Sequence, residues 1–162
     1  MKIHFIATGG TIDKIYYDRK NDYAIGDPQI VEVLKGANVT FEYEVISLLK
    51  KDSLDLTDAD REKIRDAVRD QDCRRIVVTH GTDTMIQTAR VLKTIPGKVM
   101  VLTGSMQPAR FAVTDAIFNI GCAVTAVQTL PDGVYIAMNG QVFDPERSRK
   151  NVEENRFETI IV

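Results

Sequence analysis

Thr11 stands directly after Gly9 and Gly10, at the point where the apolar run over residues 2–7 stops. A hydroxyl mounted on a glycine turn points into open space, and the bare backbone before it lets N–H groups approach a ligand closely. That is how a nucleophile is mounted, provided a neighbour takes its proton. An ordinary Gly-rich connection would look the same if it stood alone, but it does not. His80-Gly81-Thr82-Asp83-Thr84, Gly104-Ser105-Met106 and Asn139-Gly140 each follow another apolar run. Glycine beside a hydroxyl, amide or carboxylate thus recurs four times, as a shared ligand site requires.

Thr82 and Asp83 fall where a strand hands over to a helix, so their side chains and free N–H groups can hold the polar groups of a ligand. N-capping is an equally good role for Asp83 and is compatible with binding. Neither phosphate-binding glycine pattern is present, and Asp83 would repel a phosphate, which sets nucleotide binding aside.

The elements that position these residues are read from periodicity. Strand-length runs rich in β-branched residues cover 3–7, 39–46, 75–79, 99–103 and 134–138. Helical segments lie between them at 28–34, 57–69, 84–95 and 114–127, the second opened by a Thr57 N-cap with acids in its first turn. Segment 114–127 is apolar nearly all round and predicts a helix buried on most sides. The alternation predicts an α/β fold: a doubly wound, mostly parallel sheet with helices on both faces, in a Rossmann-like three-layer sandwich. Ligands of such sheets bind beyond the carboxyl ends of the strands, where all four glycine clusters fall.

The chain's 162 residues suit one domain, and 44% hydrophobic with 27% charged residues fits a globular protein. A formal net charge of −2 leaves no basic excess for nucleic acid. No apolar stretch reads as a membrane span or signal peptide. Cys73 and Cys122 are too few for a disulfide framework, and with His4 and His80 equally scattered no metal-ligand spacing arises. A reducing cytoplasm is the expected compartment.

Thr8-Gly9-Gly10-Thr11-Ile12 together with His80-Gly81-Thr82-Asp83-Thr84-Met85 resembles the bacterial-type L-asparaginase/glutaminase family, whose two signature stretches read this way in this order. The similarity runs on through Asn21-Asp22-Tyr23-Ala24-Ile25-Gly26, Asp52-Ser53, Gly104-Ser105-Met106-Gln107-Pro108 and Met138-Asn139. The resemblance implies Thr11 as nucleophile, Tyr23 on a closing loop as the group that polarises or deprotonates it, and Thr82 paired with a lysine. Register from Met138-Asn139 makes that lysine Lys150 rather than Arg149. It implies Ser53 and Asp83 as binders of the substrate α-carboxylate and α-ammonium, with Gly10 and Ser105 also lining the substrate. Ser105 stands where alanine is frequent, and His80 has no role as a base.

The expected activity is hydrolysis of L-asparagine to L-aspartate and ammonia without metal or cofactor. The alternatives are a glutaminase or other small-amide hydrolase, and a silent asparagine/aspartate-binding regulatory domain. The similarity covers the family's N-terminal domain, so residues 1–162 are expected to be one such domain with the C-terminal domain of long-chain relatives absent. The acid which that domain supplies would then come from elsewhere, for instance Glu153 or Glu154 of another copy. Residues 157–162 read as an apolar edge or interface strand, and a homo-oligomer, dimer or tetramer, is expected.

Overall fold

In the computed structural model, which describes residues 1–17 and 22–160, the first apolar run forms β1 (Lys2–Gly9). A hairpin of β2 (Lys14–Tyr17) and β3 (Asp22–Ile25) follows, then α1 (Ile30–Gly36), β4 (Glu42–Lys51) and α2 (Asp58–Arg69). Next come β5 (Arg75–Thr79), α3 (Met85–Leu92), β6 (Val99–Thr103), α4 (Ala116–Thr129), β7 (Gly133–Met138) and β8 (Gln141–Phe143). A second hairpin, β9 (Ser148–Asn151) with β10 (Arg156–Thr159), closes the described chain. The main sheet has the spatial order β4-β1-β5-β6-β7-β8, parallel throughout except for antiparallel β8.

The inner strands are apolar on both sides because both sides are covered. Ile76, Val78, Met100 and Leu102 face α2 and α3, packing with Ile64, Val68, Met85 and Leu92. Val77, Val99 and Val101 face α1 and α4, packing with Ile30, Leu34, Ile120 and Val127. Burial of each such side chain contributes about 1.5–3 kcal/mol, enough to order a sheet made of short strands. The expected three-layer α/β architecture is therefore the observed one.

At the start of α2, Thr57 Oγ1 accepts the Asp60 N–H at 3.2 Å while Asp60 accepts the Thr57 N–H at 3.0 Å, a complete capping box. Lys51 Nζ, 2.8 Å away, donates to the same Asp60 carboxylate and holds it well below the usual carboxylate range. The end of edge strand β4 is thereby fastened to the helix that follows.

Two sequence expectations are corrected. The strand placed at 39–46 lies at Glu42–Lys51, because Val39 N–H is taken by the Leu34 carbonyl in the turn that ends α1. Helix α4 is not buried on most sides: Ile117 and Phe118 are 59% and 62% exposed, since only one of its faces meets the sheet. Of residues 157–162, read as an apolar edge or interface strand, the described ones form edge strand β10, paired among the strands with β9 alone, with Ile160 38% exposed beyond it. Phe157 is buried against Phe143, with ring centroids 6.1 Å apart, and β10 pairs with β9; Ile161 and Val162 lie outside the described residues. Among the described residues no helix is long and apolar enough to cross a membrane, and no cluster of metal-ligating side chains occurs.

Candidate active site

From β1 the chain passes by α1 to β4 on one side, and from β4 by α2 on the opposite face to β5 on the other side of β1. The connections diverge between β1 and β5, and an open parallel sheet forms its ligand crevice at that switch point. The residues leaving these two strands are Gly10-Thr11 and His80-Gly81-Thr82-Asp83.

Glycine is required here by contact. A Cβ on Gly10, whose φ is +88°, would sit 2.5 Å from the Gly81 Cα and N; one on Gly81 would sit 2.6 Å from the Ser53 side chain. Turns after three strands, β1, β5 and β4, are thus layered against one another. Gly10 N–H donates to the Lys51 carbonyl at 2.9 Å and Thr84 Oγ1 to the Ser53 carbonyl at 2.7 Å, which fixes the stack. Thr11 opens a 3₁₀ turn, Thr11–Asp13, half-buried, and its hydroxyl makes no hydrogen bond among the described residues. Ser53 is 1% exposed and its Oγ likewise has no partner among them. A buried hydroxyl without a protein partner is free to bond a ligand or a water.

Lys150 reaches this stack from β9. Its Nζ donates to Thr82 Oγ1 at 2.8 Å and to Asp83 Oδ1 at 2.6 Å, while Thr82 Oγ1 lies 3.8 Å from Met106 Sδ in the turn after β6. Thr82 is buried and the Asp83 side chain is 37% exposed, so the pair presents a covered hydroxyl and an open carboxylate. Arg149, the adjacent basic residue, turns outward to Glu158, so of the two it is the Lys150 side chain that meets Thr82.

Two other candidates sit differently. Tyr23 lies on β3, half exposed, with its ring against Tyr16 and Phe111 at centroid distances of 5.4 and 6.3 Å, and no hydrogen bond joins it to Thr11 among the described residues. Ser105 is buried and its Oγ donates to the Gln107 carbonyl at 2.5 Å, so the hydroxyl is engaged within its own turn. Asn21 of the motif around Tyr23 lies outside the described residues. The larger surface grooves, of about 620 and 630 Å³, run along α4 and beside α1. Smaller hollows of about 390 and 290 Å³ adjoin Tyr23 and the Asp83–Lys150 pair.

His80 is fully buried, its Nδ1–H donating to the Gly81 carbonyl at 2.7 Å and its Nε2 accepting from Thr88 at 2.8 Å; burial pushes it down to about 4 and keeps it neutral. Asp13, two residues after Thr11, was not anticipated. It is buried, accepts the Gln29 N–H at 2.8 Å, and burial pushes its carboxyl up to about 7. An acid between apolar Ile12 and Ile15 was the available signal. A polar relay was missed as well: Asp115 accepts the Met106 and Gln107 N–H groups, and Asn119 Nδ2 donates to Asp115 and to the Gly104 carbonyl.

The asparaginase N-terminal family model matches residues 2–160. A glutamyl-tRNA(Gln) amidotransferase component from Pyrobaculum aerophilum is 32% identical over 140 residues, covering 80% of this chain and 33% of that one. The glutaminase-asparaginase of Acinetobacter glutaminasificans is 30% identical over 156 residues, 85% of this chain and 46% of that one. The solved structure of the thermostable L-asparaginase from Thermococcus kodakarensis superposes with a TM-score of 0.86 at 29% identity, covering 99% of this chain and 51% of that one. The chain therefore spans a third to a half of the length of these relatives. With a family model matched from end to end of the described sheet, and the two glycine turns layered at its switch point, the chain belongs to the asparaginase family through that family's N-terminal domain.

Proposed function

We propose that this protein is an amidohydrolase that converts L-asparagine to L-aspartate and ammonia through an acyl-enzyme on Thr11. The observation that carries this is the Lys150 ammonium on Thr82 and Asp83, at the strand end against which the Gly10 turn is packed. Thr11 Oγ attacks the side-chain amide carbon and its proton passes to a neighbouring base, either Tyr23 as the phenolate or, relayed through the Thr82 hydroxyl, Lys150 as the neutral amine. Backbone N–H groups near Thr11 and Thr82 stabilise the oxyanion, each by about 3 kcal/mol. The C–N bond then breaks, the proton goes to the leaving nitrogen, and ammonia departs. Water attacks the Thr11 ester, releases the carboxylate and returns the hydroxyl proton. No metal or cofactor is called for.

Ser53 Oγ, unpaired and buried, suits the α-carboxylate, and Asp83, whose Oδ1 is held by Lys150, suits the α-ammonium through its other carboxylate oxygen. Gly10 and Ser105 are assigned to the substrate lining by the family resemblance alone. Residues 1–162 act as one catalytic domain in a cytoplasmic homo-oligomer, with Glu153 and Glu154, exposed between β9 and β10, available to a neighbouring copy.

Ammonia release from asparagine and from glutamine by wild type, Thr11→Val and Lys150→Met tests this. Both variants should lose at least about 10³-fold in kcat. Full activity in Thr11→Val would remove the nucleophile assignment. Preference for glutamine would move the substrate by one methylene, a difference worth only about 1–3 kcal/mol in a pocket. Aspartate binding without turnover of either amide would make the chain a regulatory binder. The identity with an amidotransferase component favours a second reading, in which the ammonia is passed to a partner protein. Turnover of free asparagine by this chain alone argues against it.

A further inference from the structure

Asn139 and Gly140 join β7 to β8 in a two-residue turn with both φ values positive, +53° and +74°, between the paired Met138 and Gln141. An Asn-Gly turn of this type accounts for the backbone, and Asp or Gly would serve the first position equally well. It does not account for the side chain. Asn139 Oδ1 accepts the Phe157 N–H at 2.9 Å, eighteen residues along the chain. Phe157 lies opposite Lys150 in the β9–β10 hairpin.

That hairpin is outside the main sheet. Among the described residues, it is hydrogen-bonded to the sheet's strand ends at two places: Phe157 N–H to Asn139, and Lys150 Nζ to Thr82 and Asp83. Asn139 is in turn held from behind, its N–H donating at 3.2 Å to Oδ1 of Asn119, a side chain 1% exposed. The amide of Asn119 also holds the Gly104 carbonyl at 3.0 Å, so one buried side chain sets the ends of β6 and β7 together.

Resting on the proposed role of Lys150 in amide hydrolysis, we propose that Asn139 is a positioning residue, whose side-chain oxygen sets the height of the β9–β10 hairpin and so holds the Lys150 ammonium on Thr82. Asn139 touches no reacting atom. Its loss leaves the turns that carry Ser53 and Asp83 in place and loosens the lysine, releasing its bonds to Thr82 and to Asp83 Oδ1. A 1 Å displacement of a group that must align with a reacting centre costs up to about 100-fold in rate.

The test compares Asn139→Gly, which keeps the turn and loses the acceptor, with Asn139→Asp, which keeps both. Two readouts are used. The first is independent of turnover: acetylation of lysines in the native protein, followed residue by residue by peptide mass spectrometry. Lys150, 13% exposed and paired, should label slowly in wild type and in Asn139→Asp. It should label faster in Asn139→Gly, while exposed Lys63 is unchanged. The second is steady-state kinetics: Asn139→Gly should lose about 10- to 100-fold in kcat with KM little changed, Asn139→Asp should recover most of it, and Asn139→Gly should cost nothing further on a Lys150→Met background. Unchanged Lys150 labelling in folded Asn139→Gly, or full kcat where Lys150→Met has lost it, overturns the positioning role. Full kcat in Lys150→Met instead overturns the proposed function of the lysine, and labelling still decides what Asn139 does. Asn139→Ala surrenders the same acceptor and keeps the comparison open if the glycine variant does not fold.

Discussion

Asp13 and His80, two residues from Thr11 and from Thr82, are buried groups with opposite dependences on pH. Burial raises the Asp13 carboxyl from 3.8 to about 7. Between those values the folded protein keeps a proton that the unfolded chain has lost, so this contribution to stability falls as pH rises. Burial lowers His80 from 6.5 to about 4, with the hydrogen bond to Gly81 opposing it. Over that window the unfolded chain gains a proton that the folded protein refuses, so this contribution falls as pH drops. Relative to wild type, Asp13→Asn, which keeps the oxygen for Gln29, should gain stability from pH 4 to 7 by at most about 4 kcal/mol. His80→Asn, which keeps a donor for the Gly81 carbonyl, should gain up to about 3 kcal/mol from pH 6.5 down to 4. Urea unfolding across this range checks both, and parallel profiles for wild type and Asp13→Asn would show that Asp13 ionises normally.

Among elements, the glycine turns and helix α4 make contrasting predictions. Gly10 combines a positive φ with backbone 2.5 Å from where a Cβ would lie, so Gly10→Ala should cost more than the 1–3 kcal/mol of backbone strain alone and should abolish turnover by displacing Thr11. Gly121 lies inside α4 with nothing within 4 Å of a Cβ, and Gly121→Ala should raise stability by about 0.5–1 kcal/mol. Thermal unfolding of the two variants side by side is sufficient, and equal losses would mean that the packing of Gly10 on Gly81 contributes little. Both effects were partly readable beforehand. The glycine pair after an apolar run marks a turn, but only the approach of β5 explains why no side chain is tolerated there.

At the scale of the whole molecule, Ile117 and Phe118 of α4 and Val142 of β8 leave apolar side chains exposed along one edge, beside the groove of about 620 Å³. Across its 14 residues α4 carries no charge, so two copies meeting there about a two-fold axis would bring no like charges together. Light scattering should give a mass above 18.1 kDa, and Phe118→Glu should lower it. A monomer at all working concentrations contradicts the homo-oligomer. The sequence by itself determined the alternation of strands and helices, the Thr57 cap and the four glycine-bearing strand ends, because periodicity, capping and backbone demands are satisfied within a few residues of chain. It also carried the family, since both signature turns are contiguous. Only the tertiary structure decided that Lys150 meets Thr82 across 68 residues, that Asn139 holds Phe157, and that Asp13 is buried while one side of α4 is not. Those outcomes depend on which surfaces meet, and no local pattern of residues specifies the partner of a surface.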